Sequence, residues 1–167
     1  CEQNYHGFVS CALGWACWKT YVGRPETDEA RLDAMTVLGN GLFDAARHQD
    51  ALAVDEASFS TLKRIGTSEA QLLDVQTNLA ATYGKLGQFE RCLSMERDVY
   101  SGFLKLFGEE DKNTILAASN YSVTLKNLER FEEARSVLRK TMPVARRVLG
   151  ESYELTLKIR WIYGQAL

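Results

Sequence analysis

The sequence has few histidines and prolines, and it contains none of the short motifs of common enzyme mechanisms. Only two histidines, His6 and His48, and two prolines occur among its 167 residues. There is no H-E-x-x-H zinc motif, no glycine-rich phosphate loop and no nucleophile elbow. Because proline is so scarce, long uninterrupted helices are allowed. No segment alternates polar and apolar residues with a period of two, so we expect an all-α protein that has no sheet. Because the catalytic motifs are missing, we also expect that the protein is not an enzyme.

The chain also lacks a strong charge of either sign. Its formal net charge of −2 provides no basic field for a polyphosphate, so nucleic acid is not an expected partner. Its four cysteines include no C-x-x-C pair, which favours reduced thiols that act as small apolar side chains. A metal set of Cys1, His6, Cys11 and Cys17 would not have the usual zinc spacing, so we expect no metal and no other cofactor.

No hydrophobic run is long enough to cross a bilayer by itself. The most apolar stretch begins with Phe8 and ends with Trp18, short of the roughly 20 residues that a spanning helix needs. It is apolar on every face, which predicts a helix buried in the protein, in a partner or in lipid. We favour burial against protein and a cytoplasmic location, and contact with a membrane complex through this stretch is the alternative. The chain begins with Cys and has no recognisable signal peptide, which indicates a fragment or a processed product.

What the sequence does contain is a repeat with a fixed period. Residues 78–92 predict the end of one helix, a tight turn and the start of a second helix, and residues 120–134 repeat this pattern. Asn78 and Asn120 occupy corresponding positions, 42 residues apart (120 − 78). Fixed periods of roughly 20–50 residues are typical of proteins built from stacked repeats.

Glycines mark the same register. Gly66, Gly108 and Gly150 are again 42 residues apart, and each follows an apolar residue with Lys or Arg close before it. Cations followed by a left-handed glycine are typical of a helix C-terminus, and Gly23 fits the same role. The acidic or hydroxyl residues after each glycine are expected to cap the next helix. The sequence therefore predicts helices at residues 5–22, 27–45, 48–65, 69–86, 89–107, 111–128, 131–149 and 152–167.

The second and third repeats resemble the tetratricopeptide repeat. The second repeat matches the core pattern of that family at Leu79, Ala80, Tyr83, Gly87, Phe89 and Cys92. The third repeat matches it at Tyr121, Ser122, Leu125, Glu129, Phe131 and Ala134. The period of 42 residues and the link at residues 148–151 are similar to the longer repeats of kinesin light chains.

This resemblance implies an α-solenoid of antiparallel helical hairpins, with about eight helices and no sheet. Residues 1–23 would form the apolar second helix of an incomplete repeat. Residues 24–167 would form an array of about three full repeats and a truncated one. Hairpins of this kind cannot bury their apolar faces alone, so they stack into a superhelix with a concave face.

The resemblance also implies a protein or peptide partner, of unknown identity, that binds to the first helices of the repeats. Carried over by position, the partner-binding residues are Asn40, Thr77, Asn78, Lys85, Ser119, Asn120, Lys126, Asn127 and Trp161. Asn78 and Asn120 have an alternative role, in which their amides bond the adjacent hairpin. The paired Lys and Asn positions that hold a C-terminal carboxylate in some relatives are not reproduced. The alternative function is a structural subunit or spacer built permanently into a larger assembly.

Overall fold

The computed structural model describes residues 2–166, with side chains described from His6 to Ala166. Within these residues the chain forms eight α-helices and no β-strand, so the predicted all-α class is confirmed. Each predicted boundary lies within three residues of the observed one. The helices are α1 (Glu2–Tyr21), α2 (Glu29–Asp44), α3 (His48–Ile65), α4 (Glu69–Lys85), α5 (Phe89–Phe107), α6 (Lys112–Asn127), α7 (Phe131–Leu149) and α8 (Glu154–Gln165).

The helices belong to two compact units, which divide between Gly87 and Gln88. In the first unit α1 packs on α2, α2 on α3 and α3 on α4, and α2 also contacts α4. In the second unit α5 packs on α6, α6 on α7 and α7 on α8, and α6 also contacts α8. Consecutive helices therefore pack as hairpins, and in each unit the first helices of two successive hairpins lie side by side.

Polar side chains begin three of the four first helices, as the sequence predicts. The side chains of Asp28, Ser68 and Asp111 accept hydrogen bonds from backbone N–H groups in the first turns of α2, α4 and α6. These bonds satisfy donors that a helix leaves free at its N-terminus. The fourth first helix, α8, begins after Tyr153, which makes no side-chain cap bond.

Glycines with a positive φ end the second helices. Gly66, Gly108 and Gly150 follow α3, α5 and α7 and have φ values of 75°, 83° and 96°. A residue with a Cβ is strained in this region, so glycine is the favoured residue at these positions. The prediction is wrong at Gly23, whose φ is not positive, because the chain leaves α1 through a turn bonded from Arg24 N–H to Tyr21 O.

The two helices of unit 1 that approach each other most closely are α1 and α2, and glycines make this possible. A Cβ added at Gly41 would lie 2.4 Å from the backbone oxygen of Ser10, and one at Gly7 would lie 2.4 Å from the backbone oxygen of Asp44. A Cβ at Gly14 would lie 2.8 Å from Leu38 Cα. Real Cβ atoms do not come so close to backbone, so only glycine allows this backbone contact.

The inner side of α1 is therefore buried, while its outer side is open. Phe8 is 73% exposed and Leu13 62% exposed, whereas Cys11 is buried against α2. Within the described residues the protein itself buries only one side of this apolar helix, and burial of the outer side in a partner or in lipid stays a prediction. The glycine face accounts for the close packing, and the larger side chains point away from it. None of the described helices is long and apolar enough to span a bilayer.

Each unit also holds a buried carboxyl between two hairpins. In unit 1, Thr82 Oγ1 of α4 donates a 2.8 Å hydrogen bond to Asp55 Oδ2 of α3. Burial raises the pKa of the Asp55 carboxyl, and the bond from Thr82 partly opposes this rise. In unit 2, burial likewise raises the pKa of Glu96 on α5, opposed by hydrogen bonds from Thr124 and Cys92. Apolar contacts and one carboxyl–threonine pair thus join neighbouring hairpins in both units.

Candidate functional site

The first helices of unit 1 present an exposed surface that we call the α2–α4 face, defined by Val37, Asn40, Phe43 and Lys85. Lys85 Nζ of α4 lies 5.9 Å from the centroid of the Phe43 ring of α2. Val37 and Asn40 precede Phe43 at steps of three residues and are exposed. A lysine at this distance from an aromatic ring is held by a cation–π attraction of about 0.5–1 kcal/mol at an exposed site.

The first helices of unit 2 present a corresponding surface, the α6–α8 face, defined by Leu116, Asn120, Lys126, Lys158 and Trp161. Lys126 Nζ of α6 lies 5.0 Å from the centroid of the Trp161 ring of α8. In the opposite direction, Lys158 Nζ of α8 donates a 3.3 Å hydrogen bond to Asn120 Oδ1 of α6. Two contacts therefore cross between the helices, and they fix the positions of one aromatic and two cationic side chains.

The α6–α8 face combines apolar area with positive charge. Trp161 is 58% exposed despite its contact with Lys126, and Leu116 and Leu157 are also exposed. The α2–α4 face is different, because it has a single lysine, and Asp33 of α2 and Asp74 of α4 are exposed on its two helices. Partial burial raises the pKa of the Asp74 carboxyl. The two faces are therefore suited to ligand segments of different charge.

Most of the residues predicted to bind a partner lie on these two faces. Asn40 and Lys85 belong to the α2–α4 face, and the exposed Asn127 ends α6 beside Lys126. Thr77 and Asn78 are half-buried on α4, and the Thr77 hydroxyl donates to Leu73 O at 2.8 Å.

Ser119 lies elsewhere, because its side chain is 0% exposed. Its hydroxyl is buried and has no hydrogen-bond partner among the residues that the structure describes. A partner on the surface cannot reach this side chain. Helical spacing places it between the exposed Leu116 and the buried Ser122, where the sequence does not decide its direction. Leu157 was not predicted to bind a partner, although it lies one turn before Trp161 in α8. That spacing could have identified Leu157 as part of the apolar area of the α6–α8 face.

The described residues provide no site for a metal ion, since no group of three or more His, Cys, Asp or Glu side chains among them is arranged to hold one. Cys1, a member of the metal set considered from the sequence, lies outside the described residues. His48 lies instead against Phe43, with ring centroids 5.2 Å apart.

Residues 114–152 match the family model of the tetratricopeptide repeat. The chain therefore contains one recognised tetratricopeptide repeat. The matched segment contains most of α6, all of α7 and the link that follows, which together make one helical hairpin. No curated protein matches the sequence at a significant level.

Solved structures of tetratricopeptide repeat proteins share the fold. A proposed kinesin light chain from Podosopora anserina, with nearly identical TPR-like repeats, has a TM-score of 0.76 at 18% identity, over 95% of this chain and 74% of that one. A form of that protein with one substitution has a TM-score of 0.77 at the same identity and coverage. BtubC (BKLC) from P. vanneervenii has a TM-score of 0.69 at 14% identity, over 99% of this chain and 66% of that one. The predicted solenoid of repeats like those of kinesin light chains is thereby confirmed.

Proposed function

We propose that this protein is a non-catalytic interaction module that holds a peptide or a partner subunit on the exposed faces of its first helices. The observation on which the proposal rests is the α6–α8 face. There, Trp161 and two lysines are positioned by contacts with the neighbouring helix while they stay open to solvent. Side chains that are already ordered lose less conformational entropy when a ligand binds, so the same contacts give a higher affinity.

The chemistry of the face supports a peptide in preference to a small molecule. An exposed tryptophan gives a large apolar anchor, and tryptophan is among the residues that contribute most to binding between proteins. Asn120 and Asn127 are amides that pair with both the N–H and the C=O groups of an extended chain. The lysines on this face favour a segment with negative charge.

A peptide library displayed on phage, selected against the immobilised protein, tests this proposal. For a selected peptide, Trp161→Ala is expected to weaken binding about tenfold or more, because truncation removes an anchor of the kind that typically contributes about 2 kcal/mol or more. Isothermal titration calorimetry measures the dissociation constant of the peptide for the unchanged protein and for Trp161→Ala.

The matched control for this experiment is Trp15→Ala, which truncates a tryptophan that is 39% exposed on α1. It is expected to leave the affinity within a factor of two. Equal losses in the two variants, or no selected peptide at all, would contradict binding on the α6–α8 face.

A structural subunit or spacer in a larger assembly is the second candidate function, and the outer side of α1 favours it. Helix α1 carries four exposed apolar side chains, Phe8, Val9, Leu13 and Trp15. Exposed apolar surface of this kind is typical of permanent contacts between subunits. In that case, substituting Phe8 and Leu13 with Ser would increase the solubility of the isolated chain, and selected peptides would not depend on Trp161.

A further inference from the structure

A cavity of about 150 Å³ lies between α5, α6 and α7 in the second unit. Its apolar wall consists of Leu104, Ile115, Ala118 and Val144. The helical period places Ile115 and Ala118 on a different side of α6 from the exposed face described above. The cavity is therefore a second site, separate from the surface on which the proposed function depends.

One side chain of the cavity has an unmet hydrogen-bonding requirement. Thr114 is only 2% exposed, and its Oγ1 is buried with no partner among the described residues. Leaving a buried hydroxyl without a partner is unfavourable, and native structures contain few such groups. A ligand that offers a donor or an acceptor to Thr114 would remove this deficit.

The position of Thr114 in its helix explains why it has no partner. Other threonines in α-helices of this chain, such as Thr36 and Thr141, donate to the carbonyl four residues earlier in the same helix. Thr114 stands in the first turn of α6, three residues after the Asp111 cap, so the residue four positions earlier is outside the helix. Its backbone N–H donates a hydrogen bond to the Asp111 side chain, and its hydroxyl has no partner among the described residues.

The charges near the cavity are balanced. Glu109 and Lys140 both line it, one acidic and one basic, and they are the only charged residues in its wall within the described part of the chain. Tyr100 adds a phenol group to the wall, and burial raises the pKa of that phenol, with Glu109 adding to the rise and Thr141 opposing it. A cavity with balanced charge and buried hydroxyl groups favours a neutral ligand that has a hydrogen-bonding tip.

The volume limits the size of that ligand. About 150 Å³ is large enough for a single six-membered ring, as cavities of this size in other proteins accommodate benzene. We propose that this cavity binds a phenolic ring, whose apolar body packs on Ile115, Ala118 and Val144 and whose hydroxyl pairs with Thr114. Such a ring comes either from a free small phenol or from a tyrosine side chain of a partner protein.

The probe for this site is p-cresol, which is the tyrosine side chain as a free molecule. In ¹H–¹⁵N spectra of the whole chain, p-cresol is expected to shift the amides of residues around the cavity. Toluene, which lacks the hydroxyl, is expected to bind more weakly. The peptide Ala-Ala-Tyr-Ala-Ala distinguishes the two sources. Shifts at the same amides identify a tyrosine of a partner protein, and shifts with p-cresol alone identify a free phenol.

The decisive variant is Thr114→Val, which removes the hydroxyl and keeps the branched shape. We expect it to weaken p-cresol binding about fivefold to tenfold and to leave toluene binding unchanged, since it removes one hydrogen bond. The matched control, Thr36→Val, removes a hydroxyl from α2 and should change neither. Far-UV circular dichroism checks that each variant is folded. The absence of shifts at the cavity with p-cresol, or equal affinity in Thr114→Val, would overturn the proposal.

Discussion

Gly41→Ala is expected to lower the free energy of unfolding by about 2–3 kcal/mol, although it adds only one methyl group. The added Cβ would lie 2.4 Å from the backbone oxygen of Ser10 and 3.0 Å from Cys11 Cα. Both of these atoms are backbone, so no side-chain rotation can relieve the contact. Helix α1 would have to move away from α2, and the packing of Cys11 on Leu38 and Leu42 would be lost.

Urea unfolding followed by circular dichroism measures this effect. The matched control is Gly164→Ala in α8, where an added Cβ meets nothing within 4 Å. That substitution is expected to stabilise the protein by about 0.5–1 kcal/mol, because alanine favours a helix over glycine. If both substitutions stabilise the protein equally, α1 is not held against α2 in solution.

Asp55→Asn is expected to stabilise the protein by about 1–3 kcal/mol at pH 7, and less at lower pH. Burial raises the pKa of the Asp55 carboxyl in the folded state, so the folded protein binds its proton more tightly than the unfolded chain does. The contribution of Asp55 to stability is therefore fully present at pH values below the pKa of its carboxyl in the unfolded chain. It is lost as the pH rises through the higher pKa of the same carboxyl in the folded protein. Asparagine does not titrate, keeps a carbonyl to accept the bond from Thr82, and avoids burying a charge.

The measurement is the difference in unfolding free energy between Asp55→Asn and the unchanged protein, at several pH values from 4 to 7. The difference should grow as the pH rises. The companion variant Thr82→Val removes the donor of the 2.8 Å bond and leaves the carboxyl unpaired, so it should destabilise the protein most at pH 7. A difference that is constant across this range would show that Asp55 titrates alike in the folded and unfolded chains.

The helices could be predicted closely because local signals and the repeat agree. The second helices lie at residues 48–65, 89–107 and 131–149 in both the prediction and the structure. Each of them is followed by a glycine with a positive φ.

The tight turn between the helices of a hairpin shows how tertiary packing can override local preference. Gly87 has a φ of 73°, yet Ala46 and Glu129 adopt nearly the same backbone at the equivalent positions, with φ values of 58° and 59°.

Contacts between helices were harder to predict, because they depend on which residues meet in space. The sequence contains Gly7, Gly14 and Gly41, but glycine in a helix usually only weakens it. That these three permit backbone contact between α1 and α2 follows only from the packing. Similarly, Asp55 is typical of a solvated helix face in the sequence, and only the neighbouring helix makes it a buried group.

The candidate site could be predicted in part. The repeat pattern correctly indicated which helices come first in each hairpin, and therefore which residues are candidates for binding. It did not indicate that Lys126 lies over Trp161 or that Lys158 bonds Asn120, because these pairs join different repeats. It also placed Ser119 among the candidates, although α6 turns this side chain into the interior.

The central claim is that a partner binds on the first helices, and mapping of chemical shifts tests it most directly. A peptide selected against the protein would be titrated into the ¹⁵N-labelled chain. We expect the largest shifts at exposed residues of the first helices, above all Leu116, Asn127 and the indole N–H of Trp161. Shifts concentrated on Phe8 and Leu13 of α1, or on the second helices α3, α5 and α7, would contradict it.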